Sequence, residues 1–467
     1  MPDQEYRGHP YIPNSVPAVK AEMLQAIGAG SIDELYADIP ESLRFRGELA
    51  IPAAIEAESQ LRKHVERLLA RNTSCAQATS FLGAGCYNHY VPAICDEVGR
   101  RSEFLTAYAG EPYEDFGRFQ ALWEYQSLMA ELLAMDVCNV PTYDGFQASC
   151  TALRMAGRYT GRDRVLVAGT VSPDKLKAIR NYCEPVMAVS VLPTEPRTGL
   201  VDLDQLEARL DATVAAVYLE NPDYLGVLES RGQRIADLAH GRGALLVAGV
   251  DPISLGVLAP PSQYGADLAC GEIQALGNHM SFGGGMGGFI ASRDEERLVL
   301  EYPSRLFGLT TTQEPGEYGF GDVAYDRTSF AHREKGKEFV GTAAALHGLI
   351  AGVYLALMGP AGMRELGTHL LQKAQYLAQR LGTLPGVKAP ALAAPFFKEF
   401  TVDFNGTGRT VADLNQALLG QGIFGGKDLS GEFPGLGQTA LYAVTEQVSQ
   451  EEIDRLITVL TAILGGN

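Results

Sequence analysis

The residue of this sequence best placed to do chemistry is an aspartate at the end of an apolar run. Val247-Ala248-Gly249-Val250 leads directly into Asp251, and Pro252 follows. A carboxylate at the end of a buried strand can pair with a cationic group of a ligand, or it can simply stabilise the turn before the proline. Asn221-Pro222-Asp223 follows another apolar run in the same way. Because ligands of parallel sheets bind beyond the carboxyl ends of the strands, both turns are candidate site residues.

The sequence lacks a lysine at the position where an enzyme with such an aspartate would bind its cofactor. Enzymes that depend on pyridoxal phosphate (PLP) hold the pyridine nitrogen with a carboxylate and bind the cofactor through a lysine Schiff base. About two dozen residues after Asp251, the segment 271–280 contains no lysine. Lys335 and Lys337 lie further along the chain and follow no predicted strand. The sequence therefore predicts a subunit that resembles a PLP enzyme but cannot form the Schiff base alone, and a self-sufficient PLP enzyme is the weakest interpretation.

Two further segments combine residue types that suit a binding site. The segment 83–92 contains glycines, an amide, Tyr87 and His89, which could donate hydrogen bonds to an anionic substrate. The alternative for His89 is a structural histidine packed among aromatic rings. Arg333 could bind a carboxylate through two parallel hydrogen bonds, or it could belong to the charged start of a helix. Cys86 has no paired base nearby in the sequence, so we do not predict a nucleophile.

The segment Tyr143-Asp144-Gly145-Phe146-Gln147 begins a predicted helix. Free backbone N–H groups at such a start can bind a phosphate. Phe146 is bulky for a close approach of phosphate, so a packed helix start without a ligand is the favoured interpretation. The glycine-rich run 283–288 lacks the lysine and hydroxyl residue of a P-loop, and it is either a flexible turn or a place of close backbone approach.

Short apolar runs that alternate with amphipathic stretches must position these residues. The runs 164–169, 186–192, 214–220, 244–251, 268–273 and 287–292 predict strands. Continuous apolar strands separated by helices predict a mostly parallel sheet with helices on both faces. We expect an N-terminal arm at 1–75, a large α/β domain at 76–340 and a small C-terminal α+β domain at 341–467. A capping box predicts the start of the last helix at Ser449.

Composition excludes several classes of function. The net charge is −18, from 56 acidic and 38 basic residues, and an excess of this sign repels nucleic-acid backbones. The seven cysteines show no CxxC pair and no metal-ligand spacing, which fits reduced thiols in a cytoplasmic protein. The first 20 residues have no apolar core of a signal peptide. The apolar run 342–358 contains a histidine and glycines, so it predicts a buried helix and not a membrane span.

Motifs along nearly the whole chain resemble one family. The chain is similar to the alpha subunits (subunit 1) of the two-chain glycine dehydrogenase (decarboxylating), the P-protein of the glycine cleavage system. The matching stretches are Ser31-Ile32-Asp33-Glu34-Leu35, Phe45-Arg46-Gly47-Glu48-Leu49, Phe81-Leu82-Gly83-Ala84-Gly85, His89-Tyr90-Val91-Pro92, Arg101-Ser102-Glu103-Phe104, Tyr143-Asp144-Gly145, Gly249-Val250-Asp251-Pro252-Ile253-Ser254-Leu255-Gly256 and Leu357-Met358-Gly359-Pro360.

The resemblance implies a fold-type-I PLP-transferase-like α/β protein that has lost its cofactor lysine, with Leu276 near the expected place. It implies that PLP is bound on a homologous beta subunit that bears the lysine, in a heterotetramer that also serves a lipoyl carrier protein (H-protein). In this family the reaction releases CO₂ from glycine and passes the aminomethyl group to the lipoyl arm. Asp251 is then a relict of a cofactor site, and no metal is implied. The expected wall residues of the shared site are Tyr87, His89, Tyr108, Tyr143 and Arg333.

Departures from the family pattern keep other functions open. The family's alpha subunits carry Gly-Glu-Gly-Gln-Pro-Leu-Gly, where this chain has Gly271-Glu272-Ile273-Gln274-Ala275-Leu276-Gly277. A stretch that follows Arg333-Glu334-Lys335 also differs. One alternative is therefore a diverged paralogue that pairs with a PLP subunit and acts on a different amino acid. Another is a non-catalytic scaffold or regulatory subunit.

Overall fold

The computed structural model describes residues 11–465 except 13–14, 48, 105–115, 285, 304 and 339–343. It consists of two compact units, Met1–Asn72 and Thr73–Asn467. The first boundary lies three residues before the predicted end of the N-terminal arm. The second unit is not divided further, so the boundary between 340 and 341 stays a prediction.

The first unit contains helices α1 (Pro17–Ala26) and α2 (Glu58–Leu69). Proline at the first turn of α1 costs no hydrogen bond, because that N–H has no partner within a helix. Helix α2 is amphipathic, with its apolar residues on one side. Neither helix buries a side chain. Ser31 does not cap the short 3₁₀ turn Ile32–Tyr36, because Glu34 bonds to the N–H of Gly30 instead.

A seven-stranded sheet forms the centre of the second unit, in the order β2-β8-β7-β6-β5-β3-β4. Strands β3 to β7 are parallel, whereas β8 runs antiparallel to β7 and β2 antiparallel to β8. The strands are β1 (Thr79–Ser80), β2 (Val137–Cys138), β3 (Arg164–Ala168), β4 (Ala188–Val191), β5 (Val214–Glu220), β6 (Leu245–Gly249), β7 (Leu268–Glu272), β8 (Gly288–Ser292), β9 (Phe307–Thr311), β10 (Tyr318–Asp322), β11 (Glu399–Asp403), β12 (Ile423–Phe424), β13 (Lys427–Asp428) and β14 (Thr439–Ala443).

Helices cover both faces of this sheet, as the continuous apolar strands predict. Alternate residues of β3 enter two different cores, Val165 and Val167 one and Leu166 and Ala168 the other. The helices are α3 (Ala93–Gly99), α4 (Phe116–Leu133), α5 (Gly145–Thr160), α6 (Pro173–Cys183), α7 (Leu203–Arg209), α8 (Gly232–His240), α9 (Glu296–Val299), α10 (Ser329–His332), α11 (Ala345–Leu381), α12 (Val411–Leu419) and α13 (Gln450–Gly465). α5 and α6 pack on one face, and α4, α8 and α11 pack on the other.

A smaller sheet in the order β11-β14-β13 forms a third core with α11, α12 and α13. The predicted capping box is present, since Ser449 and Glu452 exchange side-chain to backbone hydrogen bonds. The segment 293–340 includes the antiparallel hairpin β9–β10.

Within the described residues, α11 is long and apolar enough to cross a membrane by length and composition alone. It bends at Gly359, just before Pro360. Leu370 in the main core and Leu377 in the core of the smaller sheet are both fully buried. These contacts are those of a core helix.

Candidate functional site

A pocket of about 120 Å³ lies beyond the carboxyl ends of β5, β6 and β7. Its floor is formed by Glu220, by residues 249–252 and by Glu272 at the ends of these strands. Lys398 and Glu399, at the start of β11, and residues 84–87 form the opposite wall. The pocket is therefore at the edge of the sheet where parallel α/β proteins bind ligands.

Asp251 is already paired within the chain. Its Oδ2 lies 2.7 Å from Nζ of Lys398, a side chain that is only 2% exposed. The same ammonium lies 3.0 Å from Nε2 of His89 and 3.5 Å from the ring centroid of Tyr87. The carboxylate, the ring nitrogen and the aromatic face together replace the water that this cation loses on burial.

The contacts of His89 define its tautomer. An ammonium group has no acceptor, so Nε2 of His89 must accept the hydrogen bond from Lys398. Nδ1 then carries the proton and donates to Oε2 of Glu446 at 2.7 Å. Burial, and next the Lys398 cation, lower the pKa of His89, which favours this neutral form. His89 therefore positions Lys398 and is not a free base.

Glu399 connects the same wall to the segment 84–87. Its Oε2 accepts the hydroxyl hydrogen of Tyr87 at 2.6 Å, and its Oε1 accepts the N–H of Ala84 at 2.7 Å. Burial raises the pKa of both Glu399 and Tyr87, so the phenol keeps its proton and donates it to this bond. These bonds fix the Tyr87 ring under the ammonium of Lys398.

The start of α5 is also occupied from within the chain. Oε2 of Glu272 accepts the N–H of Gly145 at 2.8 Å, and its Oε1 accepts the N–H groups of Gly287 and Gln274 at 2.9 and 3.1 Å. Asp144 caps the next turn by accepting the N–H of Gln147 at 2.7 Å. Carboxyl oxygens thus fill the position where free N–H groups would bind an anion.

Burial raises the pKa of Glu272 from about 4.5 to about 7, which gives a testable pH dependence. Between these values the folded chain holds a proton that the unfolded chain releases, so raising the pH through this window destabilises the fold. The expected loss is about 1.4 kcal/mol per pH unit, or about 3 kcal/mol in total. Glu272→Gln carries no titrating group, so we expect its free energy of unfolding to rise by this amount relative to wild type between pH 4.5 and 8. Urea unfolding at several pH values measures the difference, and a difference that stays constant with pH would contradict the assignment.

A second, partly buried lysine lines the pocket. Lys175, in the first turn of α6, forms an ion pair with Glu220 at the end of β5, and its Nζ lies 5.4 Å from the ring centroid of Phe146. Burial alone would lower the pKa of Lys175, but the adjacent carboxylate outweighs it and holds the pKa above its ordinary value. Both lysines of the pocket are thus engaged with carboxylates.

The structure brings together only part of the expected site. Tyr87, His89 and Asp251 meet at Lys398, whereas Tyr143 is half exposed and does not line the pocket. Arg333 is 83% exposed beside Glu334. Tyr108 lies outside the described residues. Leu276 is fully buried in the main core, and Gln274 and Ala275 are the pocket residues of that segment.

Sequence reasoning missed Lys175, Glu272, Lys398 and Glu399. A signal was available for the last two, because Phe397-Lys398-Glu399-Phe400 places two charges inside an otherwise apolar strand. Among the described residues, no group of three or more His, Cys, Asp or Glu side chains is arranged to hold a metal ion.

Comparisons with known proteins match the same family over nearly the full length of this chain. Residues 9–460 match the glycine cleavage system P-protein family. The probable glycine dehydrogenase (decarboxylating) subunit 1 of Carboxydothermus hydrogenoformans is 40% identical over 454 residues, which are 96% of this chain and 99% of the relative. That of Geobacillus kaustophilus is 39% identical, over 97% of this chain and 98% of the relative.

Solved structures also resemble this chain. The inhibitor-bound crystal structure of a glycine decarboxylase (P-protein) of the glycine cleavage system is 34% identical, with a TM-score of 0.84 over 98% of this chain and 100% of the other. A sphingosine-1-phosphate lyase from Burkholderia pseudomallei is 14% identical, with a TM-score of 0.65 over 92% and 94% of the two chains, and it shares the fold alone.

Proposed function

This chain belongs to the glycine cleavage system P-protein family, as a subunit 1 of glycine dehydrogenase (decarboxylating), and we propose that it completes an active site whose cofactor amine is on a second, homologous subunit. The complete enzyme would release CO₂ from glycine and transfer the aminomethyl group to a lipoyl carrier protein. In this proposal the present chain contributes walls and charges, and the partner contributes the lysine that binds PLP.

The observation that carries the proposal is that the pocket lining, among the residues that the structure describes, has no free amine. The segment after β7, where a Schiff-base lysine would be expected, places Gln274 and Ala275 at the pocket and buries Leu276 in the core. A lysine must lose its proton to attack a carbonyl. Nζ of Lys175 and Nζ of Lys398 each form an ion pair with a carboxylate, so neither amine is free.

The residues present also do not fit PLP as a non-covalent ligand. Its pyridine nitrogen would need the Asp251 carboxylate, which binds Lys398, and its phosphate would need the start of α5, which binds Glu272. The cavity of about 120 Å³ is smaller than the roughly 300–1,000 Å³ of ordinary small-molecule sites. We therefore derive no reaction step through a cofactor bound in this pocket.

Reconstitution tests the proposed function. CO₂ release from carboxyl-labelled glycine would be measured with PLP and a lipoyl carrier protein, for this chain alone, for its lysine-bearing homologue alone and for the two together. We expect release from the pair and none above the protein-free blank from this chain. Release by this chain alone would refute the proposal. Full activity of the homologue alone would instead indicate a scaffold, and release from another amino acid but not from glycine would indicate a diverged paralogue.

The exposed apolar face of α2 is our candidate contact with the partner subunit. Leu61, Val65, Leu68 and Leu69 lie on one side of this helix, and each is at least 42% exposed. Apolar side chains clustered on one face usually mark a protein interface. A subunit 1 requires a partner, and we propose that the homologous subunit covers this face.

A matched pair of substitutions on α2 tests this contact in the full-length chain. We expect Leu68→Lys to weaken association with the partner at least about tenfold, because it places a charge in an apolar interface. Ser59→Lys adds the same charge on the opposite side of the helix and should leave association unchanged. Sedimentation velocity of the mixed subunits measures both, and equal association of the two variants would exclude this face.

A further inference from the structure

In the pocket, the Lys398 ammonium faces the Asp251 carboxylate, and at a separate place the Glu272 carboxyl accepts three backbone N–H groups. We propose that side chains of this chain have replaced both anchors of a cofactor site, with Lys398 in the place of a cationic ring nitrogen and Glu272 in the place of a phosphate. This inference deepens the proposed function and rests on its assignment of PLP to the partner. It concerns the present chain alone, so it can be tested without the partner.

The cationic replacement follows from what Asp251 requires. A carboxylate at a strand end in a closed pocket needs a cationic N–H donor, and either a protonated pyridine or an ammonium meets that need. Nζ of Lys398 supplies it at 2.7 Å, and His89 and Tyr87 hold it there on two other sides. A pyridinium could enter only by displacing this ammonium, because two cations cannot share one carboxylate at such a distance without repulsion.

The anionic replacement follows from the start of α5. This 16-residue helix directs the N–H of Gly145 into the pocket wall, and the N–H groups of Gly287 and Gln274 point to the same place. All three N–H groups bond to the Glu272 carboxyl. The helix start also approaches β7 closely, because a Cβ at position 145 would lie 3.1 Å from the backbone nitrogen of Glu272. A phosphate would have to break these three bonds to gain the same donors.

The two replacements satisfy the polar groups that a cofactor would otherwise bind. Removing a cofactor from a site of this kind would leave a buried carboxylate and free N–H groups without partners, at a substantial cost in stability. Lys398, from the start of β11, and Glu272, from the end of β7, satisfy them permanently. The pocket is then stable without a ligand, and this subunit depends on PLP only through its partner.

Ligand binding to the full-length chain alone tests the inference. We expect wild type to show no saturable binding of PLP below about 1 mM in equilibrium dialysis. Lys398→Ala/Glu272→Ala should bind PLP at least about tenfold more tightly, and adding Asp251→Ala should remove that gain. Saturable binding of PLP by wild type would overturn the inference whatever the variants do, and so would a folded double variant that gains no affinity.

Single variants separate the two anchors by chemical rescue. Ethylammonium should raise the melting temperature of Lys398→Ala, and inorganic phosphate that of Glu272→Ala, each relative to sodium chloride of equal ionic strength. Neither ligand should do so for wild type or for the other variant, and equal responses of all three proteins would overturn the inference. A failed inference is distinguishable from a failed function, because PLP binding by wild type without CO₂ release refutes only the former.

Discussion

Replacing Asp251 by asparagine is expected to lower the free energy of unfolding by about 3–5 kcal/mol. The change keeps the shape of the side chain but removes the charge that faces Nζ of Lys398 at 2.7 Å. Lys398 is 2% exposed, so its ammonium would remain buried without its carboxylate. Urea unfolding followed by the fluorescence of the single tryptophan, Trp123 on α4, measures the loss in the second unit.

A double-mutant cycle separates this charge pair from other effects of the substitution. Lys398→Met alone should also destabilise, because it leaves Asp251 partly buried with no cation. Asp251→Asn/Lys398→Met removes both charges, so its loss should be smaller than the sum of the single losses by about 2–3 kcal/mol. Strictly additive losses would show that the two side chains do not interact as the structure describes.

The second large effect is expected at Gly226, in the turn after β5. Its φ is +85°, and a Cβ there would lie 2.2 Å from the carbonyl oxygen of Glu399. The obstacle is backbone of β11, the strand that carries Lys398 and Glu399 to the pocket, so it cannot rotate away. Gly226→Ala should therefore cost at least about 4 kcal/mol, from the strained backbone and the steric clash together.

Gly161→Ala is the matched control. Gly161 ends α5 with a φ of +68°, and no atom lies within 4 Å of the added Cβ. The control therefore carries the backbone strain without the clash, and we expect a loss of about 1–2 kcal/mol. Urea unfolding of both variants measures the two losses of unfolding free energy. Equal losses would mean that β11 does not approach Gly226 as described.

The central sheet was predictable because its signal is local. The run 214–219 has no charged residue and Glu220 ends it, and the structure gives β5 as Val214–Glu220 with every residue buried. Features that depend on distant contacts were not predictable. The antiparallel strands β8 and β2, at one end of the sheet, carry no local sign of their direction in the sequence. The hairpin β9–β10 lies in a segment whose glycines suggest a loop.

The helix α11 shows a local signal that the structure bears out. Gly359-Pro360 suggests a break between two helices, since proline removes a hydrogen bond and clashes with the preceding turn. Two helical segments of α11 meet in a kink at Gly359, whose φ of +57° and ψ of −178° are not helical. Buried side chains on both sides of the bend supply the packing that tolerates it.

The candidate site was also predictable only where its signal is local. Asp251 could be located from sequence, because a carboxylate that follows an apolar run lies at the ligand-binding edge of the sheet. Its partner Lys398 is far away in the chain and reaches the pocket only because β11 passes Gly226. The missing lysine was readable from one segment. The charges of Lys398 and Glu399 stand out in the sequence, but only the fold shows that Lys398 meets Asp251.

The most direct test of the central claim is borohydride reduction of the two-subunit enzyme loaded with PLP, followed by mass spectrometry of each separated subunit. Reduction makes the link between PLP and a lysine permanent. We expect the pyridoxyl label on the partner subunit and none on this chain. A label on any lysine of this chain, Lys175 or Lys398 above all, would contradict it.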